Sequence, residues 1–541
     1  MAAPFGLSLT RRAFLGSSAA VLGASALSAA PAPPSAKFRR WEITDPAMPP
    51  RVLESYAKGI REMLKRPATD PLNWYRNAFV HIFDCPHGNW WFLVWHRAYL
   101  GWLEVKLREL SGDKDFALPY WDWTKTPRVP AAMFKEVLDP NNDGFVATFS
   151  KFKTQFDAPV RALLASFSPA QKRVLAKRHI NSPAEFWSSI APGPDGMFFN
   201  QPNARGLTVA DPDLDDTTKA AVAMSVIRSA LRTPTFAGRA AGTDPAGFGS
   251  AIAADHSVEG GDKKKGVLES QPHDNVHGAM GGLKAKAFMV NFLSPVDPIF
   301  FLHHGNLDRL WDVWTRRQEA RGAPTLPQGA NLAAWSREQF LFFSDERGRP
   351  VSKVKAGDYT TMAVFDYDYS PGSGEDQVPL AAPLVAAAPP QRFGATIRSR
   401  RLGASEPAGG VAQVPAAVLA ESAPEAPGNV AEVTLNLTPA DRGRRFRILM
   451  SANGGTPVEA GGITVFSHHA QGPTTFTVPI PENLGTATGG TSPLDIRVVP
   501  IERAADEPPS SELGAPPKAG TPMVGRSAPA PLVRAITVRT N

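Results

Sequence analysis

The sequence predicts a mainly α-helical domain followed by a small antiparallel, β-sandwich-like domain. Up to about residue 370, apolar residues recur at helical spacing in several long segments. From Val430 onward, apolar and polar residues alternate in short runs, as is typical of strands. Between these parts, residues 371–428 are rich in Pro, Ala and Gly, which predicts a linker with little regular structure. The predicted domains are therefore 39–370 and 429–541.

Composition narrows the class of protein. The chain has 541 residues, enough for two or more domains and a large core. Its net charge of +7 comes from 58 basic and 51 acidic residues without a long basic run, so nucleic acid is not an expected partner. Cys85 is the only cysteine, which excludes an intrachain disulfide.

The N-terminus resembles an export signal. Arg11 and Arg12 precede a weakly apolar, alanine-rich stretch that ends in small residues. We expect residues 1–32 to be a twin-arginine signal peptide, cleaved between Ala26 and Ala32. The predicted destination is the periplasm or the exterior, by way of the twin-arginine export machinery. The apolar run is short for a membrane span, so no stable membrane insertion is expected. The alternative is a chance arginine pair in a disordered N-terminus.

Helical patterns place the first three histidines of interest. Residues 51–66 form an amphipathic pattern, and Asp70-Pro71 is a typical start for the next helix, which carries His81 near its end. Residues 85–89, with His87, are expected to be a loop, and 90–110 a helix that carries His96. Further helices are expected at 160–175 and 219–231. The isolated His256 is interpreted as structural or surface.

A long buried helix is predicted from Asp297 to Trp314. Asp297 is a good N-cap and Pro298 suits the first helical position. His303 and His304 are adjacent and lie about 100° apart around the helix, so they cannot have the same role. Asp308 lies one turn after His304 and is a candidate to hold an imidazole. The pair considered alone is also compatible with two satisfied core histidines.

Two clusters of histidines predict a metal site. His273 and His277 lie one turn apart, and seven of the eleven histidines fall in two aromatic-rich clusters, 81–96 and 273–304. Histidine clusters without the Glu-x-x-His motif of di-iron sites suit copper rather than iron. Because four helices carry these histidines, we expect a four-helix bundle with the metals in its core.

Five segments resemble the type-3 copper family, which comprises tyrosinases, catechol oxidases (polyphenol oxidases) and molluscan-type haemocyanins. They lie in the family's order and span most of residues 39–370: DPLNWYRNAFVHIFDC (70–85), HGNWWFLVWHR (87–97), LPYWDWT (118–124), GVLESQPHDNVH (266–277) and DPIFFLHHGNLDRLW (297–311). The plant-like motifs together with the export signal suggest an exported bacterial member.

The resemblance implies two sets of copper ligands. His81, His87 and His96 would bind one ion, and His273, His277 and His304 the other. His303 would then support the site without binding metal. Cys85 would form a thioether to His87, as the matching cysteine does in fungal, plant and haemocyanin relatives; a free buried thiol is the alternative.

The resemblance also implies roles for two carboxylates. Glu269 matches a glutamate that holds a water able to accept the phenol proton. Asp274 stands where many strong monophenolases have Asn. It would assist deprotonation or bind that water differently, which leaves monophenolase activity open.

The implied function is oxidation of o-diphenols to o-quinones by two copper ions with O2 as co-substrate. Small phenols are the expected substrates, and ortho-hydroxylation of monophenols is a further possibility. The alternatives are a haemocyanin-like O2-binding protein and a structural or lectin-like protein with an incidental metal site. The β domain is expected to shield the site, as in plant and fungal relatives; simple co-folding of the two domains is the alternative.

Overall fold

The structure is a computed structural model that describes residues 36–190, 201–238, 246–257, 263–281, 287–378, 390–402, 407–419, 428–438, 441, 443–465, 472–482, 484, 490–501 and 532–540. The proposed signal peptide lies outside these residues. No helix within these ranges combines the length and the apolar character needed to cross a membrane.

The described helices lie mainly in the first 340 residues. They are α1 Arg51–Lys65, α2 Trp74–Asp84, α3 Phe92–Ser111, α4 Phe149–Ser166, α5 Pro169–Lys177, α6 Pro183–Ile190, α7 Asp216–Ala221, α8 Met224–Leu231, α9 Asp274–Ala279, α10 Ile299–Ala320, α11 Ala330–Arg337 and α12 Ala416–Leu419. A π-helical turn, Glu269–His273, leads directly into α9. The segment predicted as one helix at 160–175 is divided between α4 and α5.

Capping explains where the histidine-bearing helices begin and end. The Asn73 side chain accepts hydrogen bonds from the N–H groups of Tyr75 (2.9 Å) and Arg76 (3.3 Å), so α2 begins at Trp74, not at Asp70-Pro71 as predicted. Gly112 ends α3 with φ of +77°, in the left-handed conformation that glycine adopts at low cost.

The start of α10 also differs slightly from the prediction. The helix begins at Ile299, whose N–H donates to Asp297 Oδ1 at 3.1 Å. Asp297 is also paired with the buried Arg205, whose Nε lies 2.9 Å from Asp297 Oδ2. Asp297 therefore fixes the start of α10 against a neighbouring segment as well as capping it.

Eleven strands are described: β1 Phe38–Arg40, β2 Lys263–Lys265, β3 Tyr367–Tyr369, β4 Arg392–Ser399, β5 Ala408–Pro415, β6 Val430–Leu437, β7 Arg445–Ala452, β8 Val458–Thr464, β9 Gly472–Pro479, β10 Thr491–Pro500 and β11 Leu532–Arg539. β1 and β3 pair in parallel and join the two ends of the helical part. The other nine form one sheet in the order β2-β9-β6-β11-β4-β5-β10-β7-β8. Only the β2–β9 pair is parallel.

The fold prediction of a helical core followed by a β-sheet region is confirmed. The prediction of an irregular linker at 371–428 is wrong, because β4 and β5 lie within it. Its glycines had suggested flexibility, but two of them permit close strand pairing. A Cβ at Gly409 would lie 2.2 Å from Ile496 O, and one at Gly410 would lie 2.7 Å from Thr396 O.

Strands β4–β11, here called the β part, pack directly on the segment that carries His273 and His277. The Gln271 amide donates to the carbonyl oxygens of Gly462 (3.1 Å) and Thr477 (3.3 Å), and Asn275 donates to Gly462 O at 3.1 Å. Thr477 O also accepts from Ser270 at 2.5 Å. The wall behind the second pair of histidines is therefore built partly from β8 and β9.

Candidate metal centre

Two buried groups of side chains could each hold a metal ion. The first group consists of His81, Cys85, His87 and His96, and the second of His273, His277, His303 and His304. Within each group, one ligand atom from every residue lies within 4.8 Å of all the others. His87 is the most exposed histidine of the eight side chains, at 7%.

The first group is assembled from two helices and the loop between them. His81 lies in the last turn of α2, which ends at Asp84, and His96 lies in the second turn of α3. Cys85 and His87 belong to the intervening loop, which Arg178 holds by donating to Cys85 O at 2.9 Å. Sequence reasoning placed these residues correctly because the helix–loop–helix pattern is visible in the sequence.

The second group is assembled from the π-helical turn, α9 and α10. His273 ends the π-helical turn and His277 lies in α9, while His303 and His304 come from the first turns of α10. The Nε2 atoms of His277 and His304 approach to 3.3 Å. Ligand nitrogens at about 2.0–2.1 Å from one ion with near-tetrahedral angles would lie about 3.3 Å apart.

The two groups face each other. The rings of His96 and His304 stack with centroids 4.0 Å apart and planes 6° from parallel. The rings of His87 and His273 lie 5.5 Å apart. The structure therefore brings all six predicted ligands into one continuous cluster.

In four of these histidines, a hydrogen bond fixes which ring nitrogen is available to bind a metal ion. Each of the four has Nδ1 near a backbone or carboxylate oxygen: His81 to Phe292 O at 3.2 Å, His96 to Phe92 O at 2.7 Å, His277 to Met289 O at 2.7 Å, and His273 to Asp274 Oδ1 at 2.8 Å. An Nδ1–H that donates to oxygen leaves Nε2 with a lone pair. This is the arrangement that metal-binding histidines adopt.

Burial also sets the protonation of the cluster. Burial lowers the pKa of His96 and of His277 to about 3. It lowers the pKa of the other four predicted ligands, His81, His87, His273 and His304, well below the usual range. Neutral imidazoles are the form that binds metal. The donor set, its tautomers and its charge therefore fit metal ions with a preference for nitrogen ligands.

Cys85 lies against the first group. Its Sγ is 3.8 Å from His87 Nδ1, 3.7 Å from His87 Nε2 and 3.5 Å from His96 Nε2. Sγ is thus nearly equidistant from Nδ1 and Nε2 of His87. It therefore lies close to the plane midway between these two nitrogens, and that plane contains the ring carbon Cε1 that joins them. Burial raises the pKa of the Cys85 thiol well above its usual range, so the group is held as a neutral thiol.

Glu269 connects the two groups. Its carboxylate accepts the Gly88 N–H at 2.6 Å and the Ser250 hydroxyl at 2.5 Å. Because Gly88 directly follows His87, the side chain ties the loop of the first group to the segment of the second. Burial raises the pKa of Glu269.

Asp274 contacts a predicted ligand directly. Oδ1 accepts a hydrogen bond from His273 Nδ1–H, and Oδ2 lies 2.6 Å from Nζ of Lys265. Burial raises the pKa of Asp274, and the neighbouring Lys265 ammonium opposes that rise. Both oxygens of Asp274 are thus engaged by protein groups, which the sequence did not indicate.

Asp308 does not hold an imidazole, contrary to the sequence prediction. It accepts from Arg97 at 2.7 Å, from Arg40 at 3.0 Å and from the hydroxyls of Tyr367 and Tyr369. Asp308 lies one turn after His304, as the helical period predicts, but its carboxylate is paired with the two arginines. Its role is to join α10 to α3, β1 and β3.

His303 lies within the second group. Its ring stacks on that of His273 at 5.6 Å and lies 5.0 Å from that of His277. Neither ring nitrogen has a hydrogen-bond partner among the described residues. The geometry therefore leaves His303 free to act as a supporting ring or as an additional ligand.

Three neighbours of the site were missed by sequence reasoning or only partly identified. Phe92 lies 4.7 Å from the rings of both His96 and His273, and Phe300 lies 4.2 Å from that of His304. Each phenylalanine precedes a histidine by four residues, which is a signal the sequence does contain. The third, His256, is buried between Asp84 and Glu338 and is structural.

Residues 60–317 match a family model described as the common central domain of tyrosinase. A tyrosinase of Hahella sp. (strain CCB-MM4) is 26% identical over 377 residues, which is 63% of this chain and 63% of that protein. A chloroplastic polyphenol oxidase of Spinacia oleracea is 24% identical over 322 residues, 55% of this chain and 42% of that protein. The matches thus span less than two thirds of these relatives' length.

Solved structures share the whole architecture. Latent apple tyrosinase superposes with a TM-score of 0.51 at 18% identity, covering 94% of this chain and 98% of that one. Latent aurone synthase, a polyphenol oxidase, gives a TM-score of 0.53 at 16% identity, covering 94% and 91%. At these identities the likeness concerns the fold.

Proposed function

Because the chain belongs to the type-3 copper family of tyrosinases and catechol oxidases, we propose that it oxidises o-diphenols to o-quinones with O2. In this reaction two catechols and one O2 give two quinones and two waters. The observation that carries the proposal is the pair of facing histidine groups, in which four Nδ1 atoms are committed to oxygen acceptors.

The proposed ligands are His81, His87 and His96 for one copper ion, and His273, His277 and His304 for the other. When bound, a pair of copper ions supplies the electron transfer to O2 that phenol oxidation requires. The protein holds the ligand rings in place through the Nδ1 hydrogen bonds and buries them. Burial keeps water out of the site, which limits side reactions of the oxidised product and strengthens each electrostatic contact there.

Phe92 and Phe300 give the site apolar walls. Phe92 contacts a histidine of each group, and Phe300 contacts His304 and, at 5.3 Å, His81. We propose that these rings exclude water from the site and favour an aromatic substrate, because ring pairs in offset or edge-on contact stabilise each other. Small phenols are therefore the proposed substrates.

Acceptance of the phenol proton by a water that Glu269 holds is part of the proposal. A carboxyl whose pKa is raised by burial suits a general base better than an exposed one. Its contacts to Gly88 and Ser250 support this role, because Gly88 follows His87 and Glu269 itself lies four residues before His273. Ortho-hydroxylation of monophenols would need the same proton acceptance, and Asp274 would influence it through His273 rather than by contact with the phenol.

An O2-carrying protein without oxidase activity is the second candidate, because the type-3 copper family that the sequence resembles includes molluscan-type haemocyanins. The two are separated by an assay of the copper-reconstituted full chain on four substrates: tyrosine, 4-hydroxybenzoate, a catechol and an o-aminophenol. Quinone formation from the catechol is the expected result. Reversible O2 binding without turnover of any of the four would favour the carrier.

Export by the twin-arginine pathway is a separate proposal, based on Arg11, Arg12 and the following apolar stretch. This pathway carries folded proteins, which suits a protein that acquires its metal before export. Replacing both arginines by lysine is expected to retain the chain in the cytoplasm of a bacterial host. Fractionation would test this, and unchanged export would contradict it.

A further inference from the structure

Lys265 is a buried cation beside the second histidine group. It is 2% exposed and lies at the end of the three-residue strand β2. Its Nζ is 2.6 Å from Asp274 Oδ2 and 3.8 Å from Glu269 Oε1. A buried ammonium is stable only when it is paired, and a buried carboxylate likewise needs a cation or donors. Lys265 and Asp274 therefore fix each other's position.

Asp274 in turn fixes the orientation of the His273 ring. The carboxylate oxygen that does not face Lys265 lies 2.8 Å from His273 Nδ1. A carboxylate in this position fixes the tautomer and the ring direction of an imidazole that binds metal through Nε2. Because Asp274 is anchored at Oδ2, the direction in which it presents Oδ1 depends on Lys265.

The β part in turn aims Lys265. β2 pairs in parallel with β9, with Lys265 opposite Phe476, and the Thr477 hydroxyl donates to Lys265 O at 2.7 Å. The ammonium lies 5.7 Å from the centroid of the Phe476 ring. Successive side chains of a strand point to opposite faces, so this pairing decides which lysine turns inward. Lys264, the preceding residue, is half-buried.

We propose that Lys265 is a positioning residue for the second metal, and that it couples the docking of the β part to that metal. Thr477 and the β9 pairing aim Lys265, Lys265 anchors Asp274, and Asp274 orients His273. The inference rests on the proposed function only for the identity of the metal as copper. It assigns the β part a role in metal retention that is distinct from covering the site.

The test is the retention of copper by the full-length, copper-loaded chain in competition with chelators of graded affinity. In Lys265→Met, which keeps most of the length of the side chain and removes the charge, one of the two coppers should be bound about 10–100-fold more weakly. The other copper should be held as in the wild type. Lys264→Met, one residue away on the opposite face of β2, should match the wild type.

Two further variants distinguish positioning from general destabilisation. Thr477→Val removes only the hydroxyl that aims Lys265 and should weaken the same copper to a smaller extent. In an Asp274→Asn background, Lys265→Met should have little further effect, because Lys265 acts through Asp274. If Lys265→Met fails to fold, Thr477→Val decides the matter by the same measurement.

Copper retention in Lys265→Met and Thr477→Val equal to that of Lys264→Met would overturn the proposal. So would independent, multiplying effects of Lys265→Met and Asp274→Asn. A wild-type chain that binds two coppers but oxidises no phenol would contradict the proposed function alone. A wild-type chain that binds no copper would contradict both.

Discussion

His303 and His304 are neighbours in sequence but differ in their surroundings. His304 stacks on His96 and places Nε2 3.3 Å from that of His277, whereas His303 stacks on His273. We expect His96→Ala and His304→Ala each to remove most oxidase activity, because each deletes one of three ligands. His303→Ala should be milder. Rates on a catechol, with copper counted in each variant, test this; equal losses at His303 and His304 would remove the support for the ligand assignment.

The position of Cys85 leads to a covalent prediction. Formation of a thioether removes one hydrogen from the sulfur and one from the ring carbon of His87, with O2 as the oxidant. Mass spectrometry of the copper-loaded protein should therefore find the Cys85–His87 peptide two hydrogens lighter than the unlinked peptide. A Cys85 thiol that can be fully alkylated in the active protein would contradict this prediction.

His256 predicts a pH dependence of stability. Asp84 Oδ1 lies 2.8 Å from Nε2 and Glu338 contacts Nδ1, so the pKa of His256 is raised to about 9 although burial opposes the rise. A pKa raised above the unfolded value of about 6.5 stabilises the fold fully below pH 6.5. That contribution, about 3 kcal/mol, should disappear as pH rises from about 6.5 to 9.

Urea denaturation of the metal-free chain across this pH range measures the effect. His256→Gln should be less stable than the wild type at pH 6, and the difference should shrink by pH 9. Because both chains keep Glu269 and Asp274, the difference isolates the histidine. A difference that stays constant with pH would contradict the prediction.

At the level of elements, β8 packs closely on α9. A Cβ at Gly462 would lie 2.3 Å from Asn275 Oδ1 and 2.7 Å from Thr217 Cγ2. We expect Gly462→Ala to lower the free energy of unfolding by about 1–3 kcal/mol, because neither neighbour can move without losing contacts. Gly394→Ala is the matched control, since that strand glycine has no heavy atom within 4 Å of the added Cβ. Thermal melting compares the two, and equal melting temperatures would be evidence against this packing.

Some elements could be read from the sequence and others could not. The HxxxH spacing and the long apolar pattern of α10 identify His273, His277 and the pair His303–His304, because the helical period puts them on defined faces. The choice of His304 over His303 as the ligand came from the family resemblance. Lys265 could not be predicted, since it is one of three consecutive lysines and only the pairing with β9 determines which one is buried. The sequence did not predict β4 and β5, because a segment that contains Gly409 and Gly410 has the composition of a linker. The contacts of these two glycines are made with neighbouring strands of the sheet, which composition does not reveal.

At the scale of the whole molecule, the β part covers the segment that carries His273 and His277. Gln271, Asn275 and Ser270 all donate to its backbone carbonyl oxygens. We propose that the β part shields the site from bulky phenols while O2 still enters. The contacts described between the two parts include polar side-chain-to-backbone bonds, which displacement can exchange for water.

A protease site inserted between Val378 and Pro390 tests the shield, since it leaves β4 and β5 with the rest of the sheet. Cutting, followed by removal of the β part, should raise activity on bulky phenols more than on catechol. Copper content should not change in the absence of chelator. A full-length protein already as active on bulky phenols as the cut one would contradict the shield.

We propose above that the two histidine groups form one site for two copper ions, which reduces O2 at the expense of phenols. The most direct measurement titrates the metal-free full-length chain with copper while O2 consumption is followed with a catechol present. Consumption should rise with the occupancy of both sites and reach its maximum at two copper ions per chain. Saturation at a single copper, or two bound coppers without O2 consumption, would contradict the account.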